Sequence, residues 1–195
     1  MHYFIFPEFD TTLYQASASR NTGLDEILEI EKTMNQSGGN VRVSRALIKF
    51  DLAEISRSMV RGQIATDAKF YLNMYDAKPT ELSYSQSLYA YPISGSWVPG
   101  EGFRADNPKT QEGATWEFRD GITGKSYWGR AEDTAVSSSG GAWFSSSFAS
   151  QSFEYETRDM RMNVTPIVSD WLKKEYPNNG FILKRSGSMG DLSSD

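Results

Sequence analysis

Two segments of the chain alternate apolar and polar residues with the period of two that is typical of β-strands. Residues 44–52 place Ala46, Ile48, Phe50 and Leu52 on one face, and residues 68–75 place Ala68, Phe70, Leu72 and Met74 on one face. Two shorter apolar runs, 88–93 and 181–184, are also typical of strands. We therefore predict a β-rich core in which five side chains are buried together: Ile48, Phe50, Phe70, Leu72 and Trp171.

Helical spacing is clearest near residues 166–175. Thr165 can cap a helix, Pro166 suits its first position, and Ile167 and Trp171 lie one turn apart on the same face. Residues 53–62 predict a helical turn that leads into a loop. Residues 25–34 fit a helix and a strand equally well, so the periodicity leaves their structure open.

Two segments lack any sustained period. Residues 95–142 carry many of the Gly and Trp residues, and an irregular region of this length is usually functional or carries short strands. Residues 186–195 are rich in Ser, Gly and Asp and predict a flexible tail. With 195 residues in all, we expect one domain over residues 1–185 followed by the tail.

The composition excludes several classes of function. The formal net charge is −5 and the pI is near 5.0, which argues against a nucleic-acid partner because phosphates are neutralised by Lys and Arg. There is no Cys and only one His, His2, so a catalytic triad or a zinc site would lack its ligands. No apolar run is long enough for a membrane span or a signal peptide, so we expect folding in the cytoplasm.

Six blocks occur in an order that resembles a known family. They read Asn-Thr-Gly at 21–23, Arg-Ala-Leu-Ile-Lys-Phe-Asp-Leu at 45–52, Ala-Lys-Phe-Tyr-Leu at 68–72, Ser-Trp at 96–97 with Gly-Ala-Thr-Trp at 113–116, Val-Thr-Pro-Ile-Val-Ser-Asp-Trp at 164–171, and Asn-Gly-Phe-Ile-Leu-Lys at 179–184. This order resembles the DNRLRE-type domain, a β-sandwich similar to carbohydrate-binding modules. The resemblance covers residues 8–185 and implies an all-β, jelly-roll-like sandwich of two antiparallel sheets, with one short helix near residues 166–175. It also favours a strand at residues 25–34.

The chain departs from the family pattern at two places. Asn163 stands where the family usually has Asp, and the family has one further strand after the position of Lys184. Without that strand, we expect residues 181–184 to be an exposed edge that a further segment or a neighbouring chain completes.

The candidate binding residues lie in the irregular region. Exposed indole rings would stack on sugars, so the candidates for glycan binding are Trp97, Trp116, Trp128 and Trp143, together with Glu101 and Asp106. Trp97 and Trp116 also fit the alternative of core residues at the edge of the sandwich. Further carboxylates, Glu112, Glu117 and Asp120, show no pairing that would indicate a catalytic acid and base. We expect no catalytic residues, no cofactor and no metal site, with a structural Ca²⁺ as the alternative, because hard oxygen ligands are plentiful here.

An adhesion-type sandwich without a secretion signal suits a virus particle assembled in the cytoplasm. The sequence therefore predicts a non-enzymatic structural or adhesive protein of a bacteriophage virion, in the tail, neck, baseplate or capsid decoration. Its partners would be other virion proteins or copies of itself, with a host surface glycan as a further ligand and no membrane contact. The alternative is a glycan-binding module from a larger secreted protein.

Overall fold

The computed structural model describes residues 2–34, 41–77, 86–124, 126–129, 140–153 and 159–185. Its strands are β1 Phe9–Tyr14, β2 Lys32–Met34, β3 Val41–Lys49, β4 Tyr71–Met74, β5 Gln86–Pro92, β6 Ala149–Phe153, β7 Met160–Asn163 and β8 Phe181–Arg185. Its helices are α1 Ala53–Val60, the single turn α2 Gly121–Gly124, and α3 Thr165–Leu172. No helix in these ranges is long and apolar enough to cross a membrane.

The strands form an all-β sandwich of two antiparallel sheets. The main sheet has the order β1-β3-β8-β5-β6, and β2 pairs with the beginning of β3. The second sheet contains β4 and β7. The two sheets meet where β6 approaches β7, because Gln151 accepts the backbone N–H of Arg161 at 2.8 Å and donates to the Asp159 carbonyl at 3.3 Å. The sandwich is thus joined along one side.

The four strands predicted from alternation or apolar runs are all present, as β3, β4, β5 and β8. The helix expected near residues 166–175 is α3, and the helical turn expected at residues 53–62 is the eight-residue helix α1. Residues 25–34 are a strand only over β2. Before β2, Thr12 Oγ1 and Ser44 Oγ accept the backbone N–H groups of Glu29 and Glu31, while the Glu31 carbonyl accepts the Ser44 N–H of β3 at 2.9 Å.

The first of two hydrophobic clusters lies between the sheets. It contains the predicted core residues Ile48, Leu72 and Trp171, which are buried, together with Phe181 of β8. Phe50 and Phe70 pack against this cluster while remaining half-buried. The predicted burial is therefore confirmed for three of the five residues, and it is wrong for Phe50 and Phe70, which lie at the margin of the cluster.

The partial burial of Phe50 determines how much the free energy of unfolding falls when its ring is removed. Its ring meets that of Phe181 edge to face at 6.5 Å between centroids. Because the ring is only half-buried, we expect Phe50→Ala to lower the free energy of unfolding by about 2 kcal/mol, less than a fully buried phenylalanine would. Urea unfolding followed by tryptophan fluorescence measures this, and an unchanged midpoint would contradict the packing described.

The expectation that residues 181–184 form an exposed edge is wrong. β8 is central in the main sheet, where Ile182 pairs with Leu47 of β3 on one side and with Tyr91 of β5 on the other. Pairing on both sides satisfies the backbone of this apolar segment, so it needs no further strand. The tail predicted at residues 186–195 lies outside the described residues.

A layer of irregular chain covers the outer face of the main sheet. The second hydrophobic cluster forms there and contains Leu13, Val43, Leu47, Ile93, Ala114, Trp116, Trp128, Ala142, Trp143 and Ile182. Leu47 and Ile182 are fully buried beneath this layer. The central strands β3 and β8 are therefore buried on both faces, and the irregular region is a structural cover.

Candidate functional site

The tryptophan candidates lie inside the protein. Trp116, Trp128 and Trp143 are exposed by only 7%, 5% and 7%, and each belongs to the cluster on the outer face of the main sheet. Trp97 is half-buried, and its Nε1 donates to the Asn179 carbonyl at 2.8 Å. The exposed indole platform expected from the sequence is not formed, because Leu47 and the other apolar residues of the outer sheet face require a cover.

Two buried cations pack against these indoles. The Arg45 guanidinium lies 4.7 Å from the ring centroid of Trp116 and 5.1 Å from that of Trp143, and its Nη1 donates to the Gly140 carbonyl at 2.6 Å. The Lys184 ammonium lies 4.7 Å from the Trp143 ring. This stack of cations and rings ties β3 and β8 to the covering layer.

Lys184 gives the folded state a pH dependence. Burial lowers its pKa from the usual 10.5 to about 7, and the positive charges of Arg45 and Lys32 add to the effect. Between pH 7 and 9 the unfolded chain binds a proton at this lysine that the folded chain has lost, so the stability should rise with pH. Burial raises the pKa of Tyr14 to about 12, which lowers the stability as the pH rises, but only above pH 10.

We expect Lys184→Met to remove this rise of stability with pH, as measured by urea unfolding at pH 7, 8 and 9. Equal slopes in the variant and the native chain would contradict this assignment.

Asn21 organises the covering layer. Its side-chain amide donates to the carbonyls of Pro99 and Ala114 at 2.7 and 2.8 Å. Its side-chain oxygen accepts the backbone N–H groups of Gly23 at 3.1 Å and Gly102 at 2.9 Å. This fully buried side chain therefore fixes three separate stretches of irregular backbone.

Two glycines allow that close packing. Gly100 and Gly113 have φ angles of +79° and +91°, which other residues rarely adopt. A Cβ atom on Gly100 would overlap the side chain of Asn21, and one on Gly113 would overlap the backbone of Gly100.

The candidate carboxylates in this layer stabilise turns. Asp106 accepts the Phe103 N–H at 2.9 Å and the Thr110 hydroxyl at 2.7 Å, and the first of these bonds is the main reason why its pKa is lowered. Glu112 accepts the hydroxyl of Thr123. Glu101 is exposed. The described ranges bring together no group of three or more His, Asp or Glu that could hold a metal ion, so the structural Ca²⁺ alternative gains no ligand set from them.

A large groove opens between the two sheets, and its lining extends to Phe153 of β6 and Met160 of β7. It has a volume of about 2170 Å³, and its floor includes Ile48, Leu72 and Phe181 from the core between the sheets. The walls are α1, β4 and three irregular segments at residues 2–7, 26–30 and 63–70. We call residues 2–7 the aromatic arm. The sequence pattern did not predict the groove, and it did not distinguish this arm from other short apolar runs.

The rim of the groove is unusually apolar for a protein surface. The exposed fraction is 74% for Phe4, 85% for Phe6, 57% for Ile27 and 82% for Tyr75. A contiguous apolar surface of this kind is typical of a site that another molecule covers.

The charges around the groove are balanced. Its lining contains four acidic and four basic residues: Asp10, Glu26, Glu54, Asp76, Arg57, Arg61, Lys69 and Arg161. The chain as a whole has a net charge of −5, so the groove lacks the negative excess of the remaining surface.

Among the described residues, β4 pairs only with β7, and its other backbone edge lines the groove. The Phe70 carbonyl accepts the Val164 N–H at 3.0 Å, which fixes Leu72 and Met74 as the residues whose backbone groups face β7. The N–H and C=O groups of Tyr71 and Asn73 therefore point away from β7. Within the described residues, no hydrogen bond reaches them.

A second surface feature is an aromatic patch on the outer face of the main sheet. Phe148, 55% exposed, packs on Tyr89 and Tyr91 with ring centroids 5.6 and 5.7 Å apart. Trp143 lies behind Tyr91 at 6.0 Å. The sequence pattern did not distinguish this patch, because Phe148 follows a run of serines with no period.

No family model, no curated protein and no solved structure matches this chain. The resemblance to the DNRLRE-type domain is therefore a hypothesis carried by the sequence blocks alone, while the two-sheet sandwich stands on the structure.

Proposed function

We propose that this chain is a non-enzymatic structural module that enters an assembly when a strand from a protein partner completes its open sandwich. The observation that carries the proposal is the groove with the free edge of β4 along one wall. An added strand would bond to the backbone of Tyr71 and Asn73 and place its apolar side chains over Ile48 and Leu72. This is the recognition mode known as β-strand addition.

The size and lining of the groove support a polypeptide rather than a small molecule. Typical ligand pockets hold about 300–1,000 Å³, whereas this groove holds about 2170 Å³. Its lining also includes exposed aromatic residues, such as Phe6 and Tyr75. A bound strand would cover these rings and pair the exposed edge, and both changes lower the free energy.

The assembly that we propose is a bacteriophage particle, in which the chain would contact other virion proteins or copies of itself. Support for this setting comes from the resemblance to an adhesive β-sandwich family. The groove adds a surface through which such a module could be incorporated.

The edge of β4 offers a sharp test. Asn73 is exposed and its N–H points away from β7, so Asn73→Pro removes the outward donor and obstructs pairing while leaving the β4–β7 ladder intact. Asn73→Ala is the matched control, because it removes the side chain and keeps the N–H. The chain would be co-expressed with candidate virion proteins encoded beside its gene, and complexes would be measured by light scattering and cryo-EM.

We expect a complex with the native chain and with Asn73→Ala, and at least a tenfold loss with Asn73→Pro. The cryo-EM density should show a foreign strand beside β4. Complexes that form equally well with Asn73→Pro would refute the proposal, as would a native chain that associates neither with these proteins nor with itself.

Glycan binding is the second candidate, and the aromatic patch is the observation that favours it. An exposed ring on a rigid sheet can stack on a sugar ring, and Phe148 is such a ring. Calorimetric titration with neutral and acidic polysaccharides should then show binding that Phe148→Ala weakens at least tenfold. Phe103→Ala is the control, since Phe103 is similarly exposed but lies outside the patch. Binding that is absent, or is equal in both variants, would eliminate this candidate.

A further inference from the structure

The structure also points to the donor of the added strand. We infer that two copies of this chain form a symmetric dimer in which the aromatic arm of each copy lies in the groove of the other, along the edge of β4. The inference rests on the proposed function and names a second copy of this chain as the partner.

The aromatic arm has one side attached to its own body and one side free. Tyr3 donates a hydrogen bond to the carboxylate of Glu54 on α1, and Ile5 is half-buried. Phe4 and Phe6 are instead exposed by 74% and 85%. Two phenylalanines two residues apart, both turned to solvent, form an apolar surface suited to a second molecule.

The backbone of the arm is also available for pairing. Within the described ranges, residues 2–7 make no backbone–backbone hydrogen bond, and the first such bond in this part of the chain runs from Glu8 N–H to the Lys49 carbonyl at 2.7 Å. The outward groups of Tyr71 and Asn73 on β4 are the complementary set. Pairing would therefore use backbone groups that one isolated copy leaves to water.

The place of the arm explains why the partner is a second copy. Residues 2–7 line the same groove that they would fill in the partner. A two-fold axis beside the groove therefore brings each arm to the other copy's groove, and both contacts form at once. Such an interface is closed, so association stops at the dimer.

The charges around the groove allow two copies of the chain to approach each other at this face. Two copies with a net charge of −5 each repel one another over most orientations. The groove has four acidic and four basic residues and so lacks this excess, and opposite charges can pair across the axis.

A cross-linking experiment tests the geometry directly. The chain has no cysteine, so the single-cysteine variants Phe4→Cys and Met74→Cys carry unique reactive sites. The two variants would be mixed, treated with a short bismaleimide and digested. A peptide linking positions 4 and 74 can then arise only between two chains. We expect this peptide in high yield, and a yield at least tenfold lower when Phe148→Cys replaces Phe4→Cys.

Sedimentation measures the same interface without labels. The native chain should reach twice its mass of 21.9 kDa as its concentration rises. The double variant Phe4→Ser with Phe6→Ser should dissociate at least about 100-fold more readily, because two aromatic side chains lose their burial. Phe148→Ser, at an exposed ring elsewhere, should leave the dimer unchanged, and circular dichroism verifies that all variants are folded.

A native chain that remains monomeric, or a mixture in which the 4–74 link does not form, would overturn the inference. The proposed function is judged separately by the Asn73→Pro experiment with other proteins. If those complexes depend on Asn73 while the chain alone is monomeric, the groove accepts a foreign strand and only the choice of donor is wrong. If neither association occurs, both proposals fail.

Discussion

Asn21→Ala should destabilise the chain by about 4 kcal/mol or more. The substitution leaves the carbonyls of Pro99 and Ala114 and the N–H groups of Gly23 and Gly102 without their side-chain partner. An unpaired buried polar group costs about 1–3 kcal/mol, and a whole domain is stable by about 5–15 kcal/mol. Chemical unfolding followed by near-ultraviolet circular dichroism is the suitable measurement, because Trp116 and Trp128 lie in the layer that Asn21 holds.

The control for this prediction is the same residue type at an exposed position. Asn73→Ala on β4 should change the stability by less than about 0.5 kcal/mol, as is usual for surface substitutions. A similarly small effect of Asn21→Ala would mean that the covering layer is held by its indole packing alone. The hydrogen bonds of Asn21 would then not be the organising feature of residues 95–124.

Phe181→Ala should lower the free energy of unfolding by about 3–5 kcal/mol, the usual range for a buried phenylalanine. Phe181 is 2% exposed on the central strand β8, and its ring lies 4.6 Å from that of Trp171 on α3 and 6.5 Å from that of Phe50. The variant therefore opens a cavity where the two sheets and α3 meet. Denaturant titration followed by tryptophan fluorescence measures the loss.

Phe148→Ala is the matched control for Phe181→Ala, since the same ring is removed from a site that is 55% exposed. We expect a change below about 1 kcal/mol for this variant. Similar losses in both variants would contradict the central position of β8 and favour the edge position that the sequence resemblance implied.

The sequence predicted the strands because alternation is a local property. A strand with one face in a core repeats every two residues, and residues 44–52 and 68–75 follow that pattern wherever they lie in the fold. The presence of α3 was equally local, but its start was not: Thr165 is the first helical residue and not the predicted cap, and its Oγ1 accepts the Phe70 N–H at 2.8 Å. The five predicted core residues follow from these elements, because apolar faces must pack on one another.

The sequence did not determine the position of a strand within its sheet. β8 has the same residues whether it is central or at an edge, and only its pairing with β3 and β5 decides which. The tryptophans illustrate the same limit. Trp128 and Trp143 carry no local sign of burial, and they are buried because Leu47 and Ile182 leave an apolar outer face that needs a cover.

The sequence by itself determined the class of the fold, most of its strands and the residues between the sheets, since these depend on the order of apolar and polar side chains along a few residues. Only the tertiary structure revealed the groove, the free edge of β4 and the exposed side of the aromatic arm. Each of these is a relation between segments far apart in the chain, such as residues 2–7 and β4. A relation of that kind is set by how the two sheets and the irregular segments pack against one another.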